Sequence, residues 1–156
     1  MVQTITINSI HDFESASQML NGNNTIKGSA LIRQRGGGVV TCAGNEVFLL
    51  PVERMSLEMI QKGYGNTNRG YRKLGANVVY ANNQDKSPVA GWKTTCNAQG
   101  FFSFDNLGDG EFFIESTIQW GTGYVLEGGH IMQKVSVRNG QQIEVVLTPW
   151  KYFTKR

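Results

Sequence analysis

The chain has 156 residues, a formal charge of +3 and a pI near 9.0, with 40% apolar, 17% charged and 19 glycine residues. That length is one domain's worth and can bury a core without metals or cross-links. The glycine and β-branched content suits a turn-rich all-β protein and excludes a disordered chain, and the mild charge gives no basic stripe of the kind that marks nucleic-acid binding.

Val2 to Ile7 alternates as a short strand, with Ile5 and Ile7 on one face. Asp12 is placed to cap a short helix whose apolar stripe is Phe13, Ala16, Met19 and Leu20. Residues 1–24 thus read as a strand-helix extension of the main domain. Met1 to Ile10 lacks the basic start and apolar centre of a secretory signal. The chain is therefore expected to stay where it is made, to leave with a larger assembly, or to be a processed form. No apolar run is long enough to span a bilayer as a helix.

Thr25 to Gln34 reads as a strand, broken by Gly36-Gly37-Gly38. The run Arg35-Gly36-Gly37-Gly38 lacks the Gly-Lys-Ser/Thr of a phosphate loop and reads as a strand connection. Val39 to Thr41 and Glu46 to Pro51 are further strands, and Ser56 caps a short helical turn through Met59 and Ile60, ended at Gly63. Gln61 to Gly75 reads as a loop, part of an inserted stretch 52–77, with Val78 to Tyr80 a short strand after it. Gly91 to Cys96, Phe101 to Phe104, Glu111 to Trp120, Ile131 to Val137 and Ile143 to Leu147 follow as strands, punctuated by Asn97-Ala98-Gln99-Gly100 and Asn139-Gly140. In Glu111 to Trp120, residues Phe112, Ile114, Ile118 and Trp120 share one face.

Thr94-Thr95-Cys96-Asn97-Ala98-Gln99-Gly100-Phe101-Phe102-Ser103-Phe104 resembles the T-D-x-x-G-x-F-x-F signature of carboxypeptidase regulatory-like domains, with Asn97 where Asp is common. Asn106-Leu107-Gly108-Asp109-Gly110-Glu111-Phe112 is similar to the x-L-x-x-G-x-Y that follows there. Ile26-Lys27-Gly28-Ser29-Ala30 and Asn45 to Pro51 match the opening strands. The resemblance implies a mainly β, prealbumin-like (transthyretin-like) seven-stranded β-sandwich over 25–149, used as a non-catalytic accessory module and often extracellular or envelope-associated.

The chemistry of catalysis is sparse. His11 and His130 read as two separate surface residues, and two cysteines with two scattered histidines make no zinc pattern. Asp105, Asp109 and Glu111 form the densest acidic group, which reads as a solvated turn. No catalytic residue, metal or cofactor is expected. The iron-dioxygenase and hydroxyisourate-hydrolase members of the prealbumin class need histidine sets that this sequence lacks. Cys42 and Cys96 leave two readings open, a disulfide between strands or buried free thiols.

Two stretches carry interaction chemistry. Lys62, Tyr64, Arg69, Tyr71, Arg72 and Lys73 make a basic, tyrosine-bearing segment without acids, and Trp150, Tyr152 and Phe153 make an aromatic tail at 150–156. The first reads either as a protein-docking loop or as a solvated one, and the tail either folds back on its own sandwich or inserts into a neighbour, with Val2 to Ile7 a strand that a neighbour's sheet edge would accept. The leading expectation is a structural or adaptor subunit of a homo- or hetero-oligomeric assembly such as a phage virion, surface filament or secretion machine, with both termini held by neighbours. The alternative is a carbohydrate- or surface-binding module in which Trp92, Trp120 and Tyr124 stack on sugar rings. An enzyme of the prealbumin-like class ranks third, and for the Gln61 to Gly75 segment nucleic acid ranks behind docking and a solvated loop.

Overall fold

The computed structural model describes residues 2–74, 77–87, 90–121 and 125–149. These residues form eleven strands and two helices. They are β1 (Val2–Ile7), α1 (Phe13–Met19), β2 (Asn24–Arg33), β3 (Val39–Thr41), β4 (Glu46–Pro51), α2 (Arg54–Tyr64), β5 (Arg69–Lys73), β6 (Asn77–Asn82), β7 (Trp92–Thr95), β8 (Phe101–Leu107), β9 (Gly110–Trp120), β10 (Glu127–Val137) and β11 (Gln142–Leu147).

Two sheets supply the core. In the larger the order is β5-β10-β9-β4-β7, with each neighbour antiparallel. In the smaller, β2 lies parallel to β11, pairs its first half with β8 and its second with β3. Ile26, Ala30, Phe102, Phe104 and Leu147 from the smaller sheet meet Val47, Leu49, Phe112, Ile114, Ile118, Ile131 and Val135 from the larger in one buried cluster. Period-two alternation on each strand puts these residues on the facing sides, which makes the protein a mainly β structure built as a sandwich. Gly28 belongs to this inner face for a steric reason. A Cβ there would stand 2.6 Å from both the Phe102 ring and the Val145 carbonyl oxygen.

The outer face of the larger sheet is roofed. Ile60 of α2 packs on Phe113 and Met132, and Met55 packs on Ile5 and Ile7 of β1. Strand β1 pairs in parallel with β6 from Val2↔Asn77 to Ile7↔Asn82, a separate two-stranded sheet beside α2.

Several sequence expectations change. Among the described residues the two sheets of the sandwich hold nine strands where seven were expected, and β1 and β6 stand apart from them. The stretch 52–77 is not a loop. Glu53 caps α2 by accepting from Met55 N–H, while Ser56 Oγ accepts from Glu53 N–H to complete a capping box, so the helix begins earlier and runs further than a Ser56 cap suggests. Helix α2 passes through Gly63 and ends at Gly65, whose N–H bonds to Gln61 O. Arg69–Lys73 then joins β10 as a full member of the larger sheet. Strand β1 is held inside its own chain rather than left for a neighbour. Phe13 stands outside the α1 stripe, exposed at the first helical position with its ring edge-on to His11. Trp120 does lie against the core, half-buried.

Candidate functional site

Because the larger sheet is roofed, the open side of the sandwich is the outer face of β11-β2-β8. Register fixes what stands there. Glu144, Lys27 and Ser103 form one cross-strand row, and Val146, Ser29 and Phe101 form the next. Thr25 stands beyond them, and its hydroxyl donates to Asp105 Oδ1 at 3.2 Å. Phe101 is 55% exposed and Val146 56%, although their strand neighbours Phe102 and Leu147 are core. The Asn97–Gly100 turn sets the Phe101 ring in place. Asn97 Oδ1 accepts from Gln99 N–H and Phe101 N–H, both at 3.0 Å, and Gly100 takes the left-handed φ of +81° that closes the turn. With Thr94, Thr95 and Asn97 as a side wall, these rows line a broad depression of about 740 Å³. It combines an exposed flat ring with hydroxyls, one ammonium and one carboxylate.

A smaller cleft of about 390 Å³ lies beside the roof, floored by Ile7, Met55, Met59 and Tyr80. Its polar rim is occupied by its own loop. Asn82 Oδ1 accepts from Gln84 and Asp85 N–H, and Asp85 accepts from Ser87 and His11 N–H. Those groups lock a loop and present little to a ligand, so the larger depression is the stronger candidate.

The residues singled out in sequence do not gather into one docking patch. Lys62 bonds Glu58 Oε2 at 2.7 Å and Thr6 O at 2.8 Å, tying α2 to β1. Tyr71 points inward against the main core. Tyr64 and Arg72 turn under the roof, where the Tyr64 hydroxyl donates to Glu115 and the Arg72 guanidinium lies 4.9 Å from the Tyr64 ring centroid. Burial and the Glu115 carboxylate push the Tyr64 pKa far above its ordinary value. Arg69 and Lys73 sit exposed at the two ends of β5. The segment was read as a loop because it is polar, but its two faces serve two different neighbours. Trp150, Tyr152 and Phe153, like Tyr124, lie outside the described residues.

Cys42 and Cys96 are bonded, with Cα atoms 5.8 Å apart, so the disulfide is the reading that holds. His11 is not a surface residue. It is buried, with Nδ1 2.9 Å from Glu53 Oε2. His130 is half-buried with Nδ1 2.8 Å from Thr117 Oγ1, and burial lowers its pKa against the pull of Glu115. Asp109 accepts from Asn24 and from Asn139 N–H, which makes it a turn lock. Among the described residues no group of three or more His, Cys, Asp or Glu is placed to hold a metal ion, and no helix is long and apolar enough to cross a membrane. Trp120 donates its indole N–H to Glu127 and is half-buried, which closes it as a stacking platform, whereas Trp92 is 48% exposed on the edge strand β7. Phe101 was the residue that sequence reading passed over. The signal was its phase, since alternation with Phe102 and Phe104 inward sends Phe101 outward.

No family model matches the chain, and no curated protein does. Among solved structures the chain is similar to a candidate carbohydrate-binding protein of Pseudomonas aeruginosa, at a TM-score of 0.67 and 20% identity. The match covers 91% of this chain and 99% of that one. At that identity the likeness establishes a shared fold over nearly the whole of both chains.

Proposed function

We propose that this chain is a non-catalytic carbohydrate-binding β-sandwich module that receives its ligand on the outer face of β11-β2-β8. The carrying observation is Phe101, a ring that is 55% exposed at the end of the Val146-Ser29-Phe101 row, beside the polar Glu144-Lys27-Ser103 row, in the 740 Å³ depression. A sugar ring offers one apolar C–H face and a rim of hydroxyls. Phe101 suits the first, and Ser29, Ser103, Lys27 and Glu144 suit the second. The description carried by the Pseudomonas aeruginosa structure supports the same reading. We take the sandwich to be of the prealbumin-like, carboxypeptidase regulatory-like type. The Asn97–Gly100 turn and the inward Phe102 and Phe104 support this, since they do in the fold what the T-D-x-x-G-x-F-x-F pattern requires. The Cys42–Cys96 bond supports a working place outside the reducing cytoplasm, extracellular or envelope-associated.

The test is a glycan array followed by calorimetry with Phe101→Ala. Loss of the ring should weaken binding at least tenfold, about 1.4 kcal/mol, with Tm unchanged because the ring is exposed. No glycan bound by the native chain, or undiminished binding by the variant, would overturn the proposal.

A structural or adaptor role in a larger assembly is the second reading. Its support is the edge of β11, six residues long with one neighbour, β2, among the described residues. Light scattering of the purified chain tests this second reading, and a stable monomer at every concentration would overturn it.

A further inference from the structure

The two cross-strand rows on the outer face of β11-β2-β8 run side by side and differ in kind. One carries an apolar side chain at each end, Phe101 on β8 and Val146 on β11, with Ser29 of β2 between them. Both ends are more than half exposed. The other row is polar throughout, with Ser103, Lys27 and Glu144 in the same strand order. Its hydrogen-bonding sense alternates. The Ser103 hydroxyl donates to Asp105 Oδ1 at 3.2 Å, which leaves its oxygen as an acceptor. The Lys27 ammonium only donates, and the Glu144 carboxylate only accepts. Although neighbours in the row, these two form no ion pair, and among the described residues neither is paired elsewhere. Both are therefore open to a ligand, and all six side chains belong to residues lining the 740 Å³ depression.

Phe101 and Val146 stand two strand spacings apart, about 10 Å, and a pyranose unit in an extended glycan covers about half of that. One sugar ring on Phe101 thus leaves Val146 bare, whereas a chain reaches it. We propose that the two rows bind a linear, uncharged glycan of at least three units, laid across the strands. Its first ring lies on Phe101 and its third over Val146, and the hydroxyls of one edge follow Ser103, Lys27 and Glu144. A sugar hydroxyl both donates and accepts, which suits a row of alternating sense. The row sets one ammonium against one carboxylate, with Asp105 beyond Ser103, so it offers no surplus of positive charge to a uronate chain. Strand β11 has one neighbour, β2, among the described residues, so a longer chain runs out past its edge. The assignment rests on the carbohydrate reading of this face and adds the length and charge of the ligand to it.

The test is calorimetry of the full chain with free oligosaccharides from one unit to six, in gluco-, xylo-, manno- and N-acetylgluco- series, beside oligogalacturonates of the same lengths. In a neutral series that binds, affinity should rise at least about fivefold between two units and three and then level off. A two-unit ligand bound as tightly as the six-unit chain would overturn the span and leave the carbohydrate reading standing. Oligogalacturonates bound more tightly than every neutral series would overturn the uncharged assignment. Silence from every series overturns the proposal, and a glycan array that is silent as well takes the carbohydrate reading with it. Val146→Ala trims an exposed side chain and should remove most of the step between two units and three. A step of unchanged size would take Val146 out of the site, and the length assignment with it.

Discussion

Single side chains here often hold two elements at once. Glu53 is the densest case. One carboxylate oxygen caps α2 at Met55 N–H, 2.6 Å away, and the other meets His11 Nδ1 inside the protein. Replacing Glu53 with alanine removes an N-cap and leaves a buried imidazole nitrogen without its partner. The expected loss is about 2–4 kcal/mol, summing a cap of roughly 1 and an orphaned polar group of roughly 1–3. Glu53→Gln keeps an acceptor oxygen and should lose markedly less. Urea unfolding of the two variants beside the native chain checks this, and a Glu53→Ala loss under 0.5 kcal/mol would mean that neither contact matters. None of this was open to sequence reading, because His11 and Glu53 are 42 positions apart and nothing local marks either as buried.

At the scale of elements, the N-terminal segment is clamped by two carboxylates. Glu58 of α2 accepts from Asn8 N–H, Ser9 N–H and the Ser9 hydroxyl, and Asp85 accepts from His11 N–H. The Lys62 ammonium, then Ser9, hold the Glu58 pKa down at about 2, and the Ser87 contacts followed by His11 N–H hold Asp85 at about 2. Both groups ionise more readily folded than unfolded, where values near 4 are ordinary. Their contribution is thus present above about pH 4 and is lost as pH falls toward 2. Hydrogen exchange should show β1 and its β6 partner losing protection in that window before β9 and β10 do. Simultaneous loss across all four strands would refute the clamp. Sequence reading found β1 as a strand but not its partner, since parallel pairing across 75 positions leaves no local trace. It found the inner face of β9 through Phe112, Ile114 and Ile118. It missed that Phe113 is buried as well, because the helix covering Phe113 had been read as one turn. The outward phase of Phe101 was legible throughout; what hid it was its place in a turn-and-strand pattern that folding alone accounts for.

For the molecule as a whole, the Cys42–Cys96 bond closes a ring across 54 positions, from the end of β3 to the end of β7. Closing a ring of that size restricts the unfolded chain and is worth about 4 kcal/mol in the loop-entropy account. Against a usual stability of roughly 5–15 kcal/mol, that is a large share. The Cys42→Ala/Cys96→Ala double variant should remain folded on its large two-sheet core, with denaturant midpoint lowered accordingly. An unchanged midpoint would show that the core alone sets stability. The same bond governs how far the chain can reach. Drawn out from its two ends, the oxidised polypeptide keeps the residues between Cys42 and Cys96 slack. At about 3.5 Å per extended residue, it falls roughly 190 Å short of its reduced length. A protein tethered at one end and loaded at the other would thus yield only its outer segments, and most of the roof, α2 with β6, together with β5 of the larger sheet, would stay within a closed circle that tension cannot open.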